Sequence, residues 1–231
     1  MKNSVFCFIG ENRLDTAIVV RILKVLKKEY VHWHAPIVTL VAERSKDPYQ
    51  ILISTLLSLR TKDEVTTRAS ERLFQKAKTP DAMLGLSLEE IRKLIFPVGF
   101  YKRKADTILA VSRILIQQYE GKVPDDLDEL LMFPGVGRKT ANLVITLGFG
   151  KAGICVDTHV HRISNRFGYV RTKTPEETEM ALRGKLPKAW WIPYNDILVA
   201  FGQNLCKPIS PWCSRCPVQV YCERAGVDKS R

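Results

Sequence analysis

Four cysteines place the tightest constraint on this chain. The run Cys206-x6-Cys213-x2-Cys216-x5-Cys222 packs four thiols into seventeen residues near the C-terminal end. Four soft ligands at such spacing suit either tetrahedral zinc or a [4Fe–4S] cluster. Spacing alone does not choose between them, although a zinc ribbon more often pairs two C-x2-C knuckles. Cys7 and Cys155 stand apart, whereas a secreted disulfide framework would distribute its cysteines through a smaller chain. The expectation is a cytoplasmic protein with a metal site. Met1 to Gly10 carries a single Lys, a short apolar patch and no small-residue cleavage site, which does not read as a signal peptide. No apolar run approaches the length of a membrane span, so no membrane partner is expected.

Charge narrows the partner. Lys and Arg number 36 against 24 Asp and Glu, a formal net charge of +12. Such an excess favours a polyanion, nucleic acid ahead of an anionic membrane surface.

Helical spacing dominates the rest. Residues 15–30 set Ile18, Ile22 and Val25 on one stripe, with Lys24, Lys27 and Lys28 mostly outside it. Residues 48–59 are nearly all apolar and read as a buried helix. Thr79-Pro80 and Thr174-Pro175 each place a capping hydroxyl before a proline at the first helical position. Ser87 with Glu90, and Thr174 with Glu177, have capping-box spacing. Gly121 and Gly168 stand where helices stop. Sustained period-2 alternation is scarce, and the fold class expected is all-α.

From Leu127 a helix leads into Phe133-Pro134-Gly135-Val136-Gly137, followed by Arg138-Lys139-Thr140-Ala141-Asn142 and an apolar helix to Leu147. Pro134 stops the first helix, and Gly135 and Gly137 permit positive φ and close approach of another backbone. The N–H groups of the turn, from Gly135 through Val136 and Gly137 to Arg138, then point outward together and can hold a phosphate oxygen. Such a device gives grip and register without reading sequence. A turn between two packed helices is the plainer alternative; the two flanking amphipathic helices and Arg138-Lys139 in a basic chain favour phosphate binding.

Phe133 to Val144 resembles the helix-hairpin-helix of the endonuclease III family of DNA glycosylases. Cys155-Val156-Asp157-Thr158-His159-Val160-His161-Arg162 resembles the family's V-D-T-H-x-x-R segment. With the C-terminal cysteines, the likeness runs in the right order from about residue 12 to 226. It implies that Lys139 is the catalytic lysine of a bifunctional enzyme, that Asp157 is the catalytic aspartate, and that Cys206, Cys213, Cys216 and Cys222 hold a [4Fe–4S] cluster. Pro208, Pro211 and Pro217 stiffen the cysteine loops, while Lys207 and Arg215 are expected to reach DNA phosphates.

The chemistry suits these residue types. Breaking the bond between a base and C1′ passes through an oxocarbenium-like state, which a carboxylate stabilises in a water-poor pocket. An amine can attack C1′, displace the base and leave a Schiff base. The iminium acidifies the C2′ proton, and β-elimination then cuts the strand on the 3′ side. Lysine serves because burial beside other cations frees its lone pair, and Arg138 adjoins Lys139. Taken singly, Lys139 could only neutralise a phosphate and Asp157 could only cap a helix; together within the motif they favour catalysis. His159 and His161 fall on different helical faces and read as packing residues, and Cys155 reads as a buried spectator.

A glycosylase rotates its target base out of the stack and fills the gap. Val98-Gly99-Phe100-Tyr101, followed by Lys102, Arg103 and Lys104, resembles the family's G-x-Y-x-x-K-A segment, with Phe100 at the wedge position. Residues Leu57 to Asp63 resemble its other insertion segment, with Arg60 where the family usually carries Gln.

The expected architecture is two helical lobes: a barrel of residues 42–151 with the hairpin, and residues 1–41 plus 152–231 forming the cluster lobe. The expected partner is double-stranded DNA with damaged bases, oxidised pyrimidines being what the resemblance implies, or abasic sites, bound by a monomer. Two alternatives stand beside this. A monofunctional mismatch glycosylase acting on T/G, U/G or A/G pairs generally lacks a lysine at 139, and its adenine-removing branch uses a Glu on the helix corresponding to 48–59, where this chain has no carboxylate. A non-catalytic helix-hairpin-helix module would not need Lys139 and Asp157 together.

Overall fold

A computed structural model describes residues 14–33 and 45–231 of the chain. Met1 to Gly10, Cys7 and the expected lobe boundary at 41/42 lie outside the described residues. Among the described residues there are helices and no strands. Helix α1 (Thr16–Glu29) is capped by Asp15, whose Oδ1 accepts from Ile18 N at 2.7 Å, and Lys27 and Lys28 complement the dipole of its last turn. It buries Val19, Ile22, Leu23 and Leu26. Helix α2 (Pro48–Ser58) buries residues on every side, as its uninterrupted apolar sequence requires. Each of its fully buried Leu or Ile side chains contributes about 1.5–3 kcal/mol relative to exposure.

The chain continues through α3 (Asp63–Lys76), α4 (Pro80–Leu84), α5 (Leu88–Ile95), α6 (Tyr101–Tyr119), α7 (Leu127–Leu131) and α8 (Arg138–Leu143), which a π-helical turn, Val144–Gly148, extends. Then come α9 (Thr158–Phe167), α10 (Pro175–Lys185) and α11 (Trp191–Asn204). The Ser87–Glu90 capping box forms in full at α5. At α10 only half of the box forms: Glu177 N donates to Thr174 Oγ1, but the Glu177 carboxylate accepts from Lys173 N.

Two hydrophobic cores organise these helices. The first gathers α2 to α8, from Tyr49 to Ile145, and the second gathers α1 with α9, α10 and α11. The chain crosses between them at Ile154-Cys155-Val156: Ile154 and Val156 enter the second core while Cys155 enters the first. That alternation delivers Asp157 to the seam between the cores. No described helix is long and apolar enough to cross a membrane.

Candidate active site

Lys139 is the second residue of α8, and Asp157 is the N-cap of α9. Their side chains meet across the seam, with Lys139 Nζ 3.5 Å from Asp157 Oδ2. Asp157 Oδ1 accepts from His159 N at 2.8 Å and Val160 N at 2.9 Å. One carboxylate oxygen therefore serves as helix cap and the other faces the amine, so the capping and catalytic roles coexist. The carboxylate is 9% exposed and the lysine 41%, so the pair opens to solvent from the lysine side. Behind it, Cys155 Sγ donates to Lys139 O at 3.6 Å, and burial drives the Cys155 thiol pKa far upward. A thiol so placed braces the backbone and is no nucleophile.

The hairpin departs from expectation in two ways. Gly135 has φ +77, but Gly137 is extended at φ −100, and a side chain there would meet nothing. The turn needs a left-handed residue only at its first glycine. Val136 is buried in the first core, and its N–H closes the turn by donating to Phe133 O at 3.2 Å instead of pointing outward. No side chain caps α8, whose first intrahelical bond runs from Ala141 N to Gly137 O. The N–H groups ahead of that bond lie outside the helix's own ladder, as an anion grip requires.

Arg138 is committed elsewhere. Its guanidinium forms a two-pronged pair with Glu179 of α10, Nε to Oε2 at 3.0 Å and Nη2 to Oε1 at 2.9 Å. Arg183 donates to the same carboxylate, and its Nη2 also reaches Asn142 Oδ1 at 3.3 Å. Glu179 is 2% exposed. Burial raises its pKa, but the two guanidiniums outweigh burial and hold the carboxyl below its ordinary value. Arg138 thus joins the two cores and does not crowd Lys139; the cation expected beside the lysine is neutralised. Nothing in the local sequence marks this bridge, because its partners lie 41 positions apart.

Arg60 and Phe100 come together. Both are exposed and left-handed, at φ +53 and φ +58, and the Arg60 guanidinium carbon lies 5.9 Å from the Phe100 ring centroid. His159 and His161 are packing residues, hydrogen-bonded to Arg162 and Thr178 respectively.

Cys206, Cys213, Cys216 and Cys222 are free thiols that line one pocket together with Phe167, Phe201 and Trp212. Among the described residues, no three of His, Cys, Asp and Glu stand close enough to hold a single metal ion. Burial pushes the Cys216 pKa up to about 11 and that of Cys222 in the same direction, and the facing thiols add to both. Arg166 from α9 braces the rim, donating to Lys207 O and Pro208 O at 2.7 Å each and to Cys206 Sγ at 3.5 Å. Lys207 and Arg215 are exposed beside the cavity, Arg215 with its guanidinium carbon 5.6 Å from the Trp212 ring centroid.

A family profile described as HhH-GPD superfamily base excision DNA repair protein matches residues 53–188. The chain is 51% identical over 180 residues to endonuclease III of Thermotoga maritima, covering 78% of this chain and 84% of that protein. It is 41% identical to endonuclease III of Bacillus subtilis, covering 80% and 84% respectively. Against the chloroplastic endonuclease III homolog 2 of Arabidopsis thaliana it is 45% identical over 77% of its own length but spans only 48% of that longer protein. A solved non-covalent endonuclease III–DNA complex superposes with a TM-score of 0.82 at 35% identity, covering 91% of this chain and 96% of the other. A thermostable thymine-DNA glycosylase superposes with a TM-score of 0.76 at 28% identity, over 90% and 94%. The all-helical architecture and these matches agree: the chain belongs to the endonuclease III family within the HhH-GPD superfamily of base excision DNA repair proteins.

Proposed function

We propose that this chain removes oxidised pyrimidines from double-stranded DNA and cuts the resulting abasic strand by β-elimination, through a Schiff base on Lys139. The observation that carries the reading is the meeting of Lys139 Nζ with Asp157 Oδ2 at 3.5 Å in the seam between the two cores. Asp157 Oδ2 is a proton acceptor at ion-pair distance from the attacking amine, and Oδ1 is held by two backbone N–H groups that fix the carboxylate's orientation. Such a fixed carboxylate stabilises positive charge developing at C1′. As neutral Nζ attacks C1′ the base departs and Nζ gives up a proton; the C1′–O4′ bond then opens, O4′ taking a proton, to leave the iminium, and loss of the C2′ proton expels the 3′ phosphate.

The hairpin Gly135–Gly137 would hold a strand phosphate by its backbone. Arg60 and Phe100 would enter the duplex where the base has left, and Lys207 and Arg215 would lie along the flanking phosphates. In this reading a monomer lays the DNA across both lobes, residues 42–151 on one side and residues 1–41 with 152–231 on the other.

The four cysteines fit a [4Fe–4S] cluster better than zinc. Zinc draws four sulfurs to about 2.3 Å from one point, whereas among the described residues no three of these thiols stand close enough to share a single ion. The cluster would supply cross-linking of the C-terminal loops, since glycosidic cleavage transfers no electrons. Its positive core would hold as thiolates the cysteines that burial otherwise disfavours. Cys213→Ser is accordingly expected to lower soluble yield and thermal stability before it lowers the activity of the molecules that fold. A stable, colourless and fully active variant would contradict this.

A duplex carrying one oxidised pyrimidine and a matched duplex carrying a mispaired thymine test the reading together. Cleavage of the first to a 3′ unsaturated-aldehyde end is expected. Base loss from the mispaired thymine alone would move the substrate class to mismatches, and tight binding without reaction on either would leave a DNA-holding module.

A further inference from the structure

The two insertion segments are tied by one side chain. Helix α2 ends at Ser58, and Lys104, one turn into α6, reaches back across its C-terminal end. Its Nζ donates to Leu57 O at 2.8 Å, Leu59 O at 2.6 Å and Thr61 Oγ1 at 3.1 Å. Three acceptors use all three protons of an ammonium. These acceptors flank Arg60 on both sides, while the Lys104 backbone N–H bonds Phe100 O at 3.0 Å. Gly99 closes the joint: its N–H donates to Thr61 Oγ1 at 3.1 Å, and a Cβ there would stand 2.7 Å from Arg60 O.

Left-handed backbone at a residue with a Cβ costs about 1–2 kcal/mol and persists only where the surroundings over-determine it. Arg60 and Phe100 are both in that state and both exposed. The Lys104 bonds on each side of Arg60 and behind Phe100, with the Gly99–Thr61 bond, hold the two side chains where they meet. Burial draws the Lys104 pKa down to about 8, so the ammonium is held at an energetic cost that helix capping by solvent would avoid.

We propose that Lys104 is a positioning residue for base flipping: its three hydrogen bonds lock the Arg60 and Phe100 segments into one preformed wedge. This rests on the function proposed above. The role predicts a division that a general structural role would not produce. Opening a duplex requires the wedge, whereas attack by Lys139 on an abasic site in a single strand does not.

Lys104→Met keeps the apolar stem and removes the donors. Excision of an oxidised pyrimidine from duplex under single-turnover conditions is expected to fall by about 10- to 100-fold, the scale of a misplaced reacting geometry. The fluorescence rise of a 2-aminopurine placed opposite the lesion should shrink with it. Lyase activity on a single-stranded abasic oligonucleotide should stay within about twofold of the parent protein, because its transition state never uses the wedge. Thr61→Val, which removes one acceptor, should give a smaller loss with the same division, and it keeps the test open if the Met variant folds poorly. Equal loss of both activities, unchanged excision, or lost excision with an undiminished 2-aminopurine signal would each overturn the proposal. Failure of the parent protein to excise from duplex would overturn the underlying function reading itself, and the wedge role with it.

Discussion

Lys139→Gln is expected to abolish strand cutting, by at least about a thousandfold, as removal of a covalent nucleophile does elsewhere, while the protein stays folded and keeps the visible absorbance that the proposed cluster would give. The site geometry separates the two effects. Lys139 Nζ makes one ion pair, from a side chain 41% exposed, and exposed pairs contribute roughly 0–1 kcal/mol. Asp157 loses that partner but keeps both capping hydrogen bonds from His159 and Val160, so α9 still starts where it did. Glutamine has a similar reach and leaves no cavity. Among the described residues no second amine is paired with Asp157 to substitute for the lost one: the neighbouring Arg138 is turned to Glu179, and a guanidinium is no nucleophile at neutral pH. Strand cleavage, circular dichroism and visible absorbance measured on the same preparation check the prediction. Loss of colour or a large fall in melting temperature would show that Lys139 holds the fold instead of performing chemistry.

Glu179→Ala should have the largest effect on stability of any single polar substitution near the site. It removes the one carboxylate shared by Arg138 and Arg183, which join α8 of the first core to α10 of the second. Removing one member of a buried pair costs about 3–5 kcal/mol, because the partner charge is left uncompensated. Both arginines are partly exposed and can recover some hydration, which places the expected loss near the lower end, about 3 kcal/mol. Denaturant unfolding measures it directly, and a loss below about 1 kcal/mol, the range of a surface pair, would contradict it. Activity should fall beyond the stability effect, since the bridge fixes the register of Lys139 against Asp157. The pH dependence has a definite sign. A carboxyl with a depressed folded-state pKa contributes stability that is fully present above its unfolded value, about 4.3, and is lost as pH falls below that through the lower folded value. The parent protein should therefore lose stability on acidification below about pH 4.3 more steeply than the Glu179→Gln variant, which has no such group to protonate.

The sequence made the local devices legible. Thr79, Ser87 and Thr174 cap helices because a short polar side chain before an apolar repeat has one favourable use, and each is found in that use. The apolar run 48–59 became a helix buried all round for the same reason of composition. Lys139 and Asp157 were legible as a pair only through the resemblance, since nothing in 139 or 157 alone announces that a crossing at Ile154–Val156 brings them together. The long-range polar contacts were not legible. Arg138 was expected to face a phosphate because its neighbours are a hairpin and a lysine, but a buried acid on α10 takes its guanidinium. Lys104 stood in a recognised segment without an evident task, because the acceptors that define its task belong to the end of another helix. Gly137 was expected to share the special backbone of Gly135, and the turn bends with one left-handed residue instead of two. In each case the missing information was the identity of a partner about forty positions away, or the turn type, and neither is encoded in spacing.

The most direct test of the central claim is borohydride reduction of the protein on duplex DNA carrying an oxidised pyrimidine, followed by peptide mapping of any protein–DNA adduct. The account predicts a covalent adduct with the sugar on Lys139 Nζ, absent in Lys139→Gln. Abasic sites accumulating with no adduct and an uncut strand would contradict it, since water, and not Lys139, would then be the nucleophile.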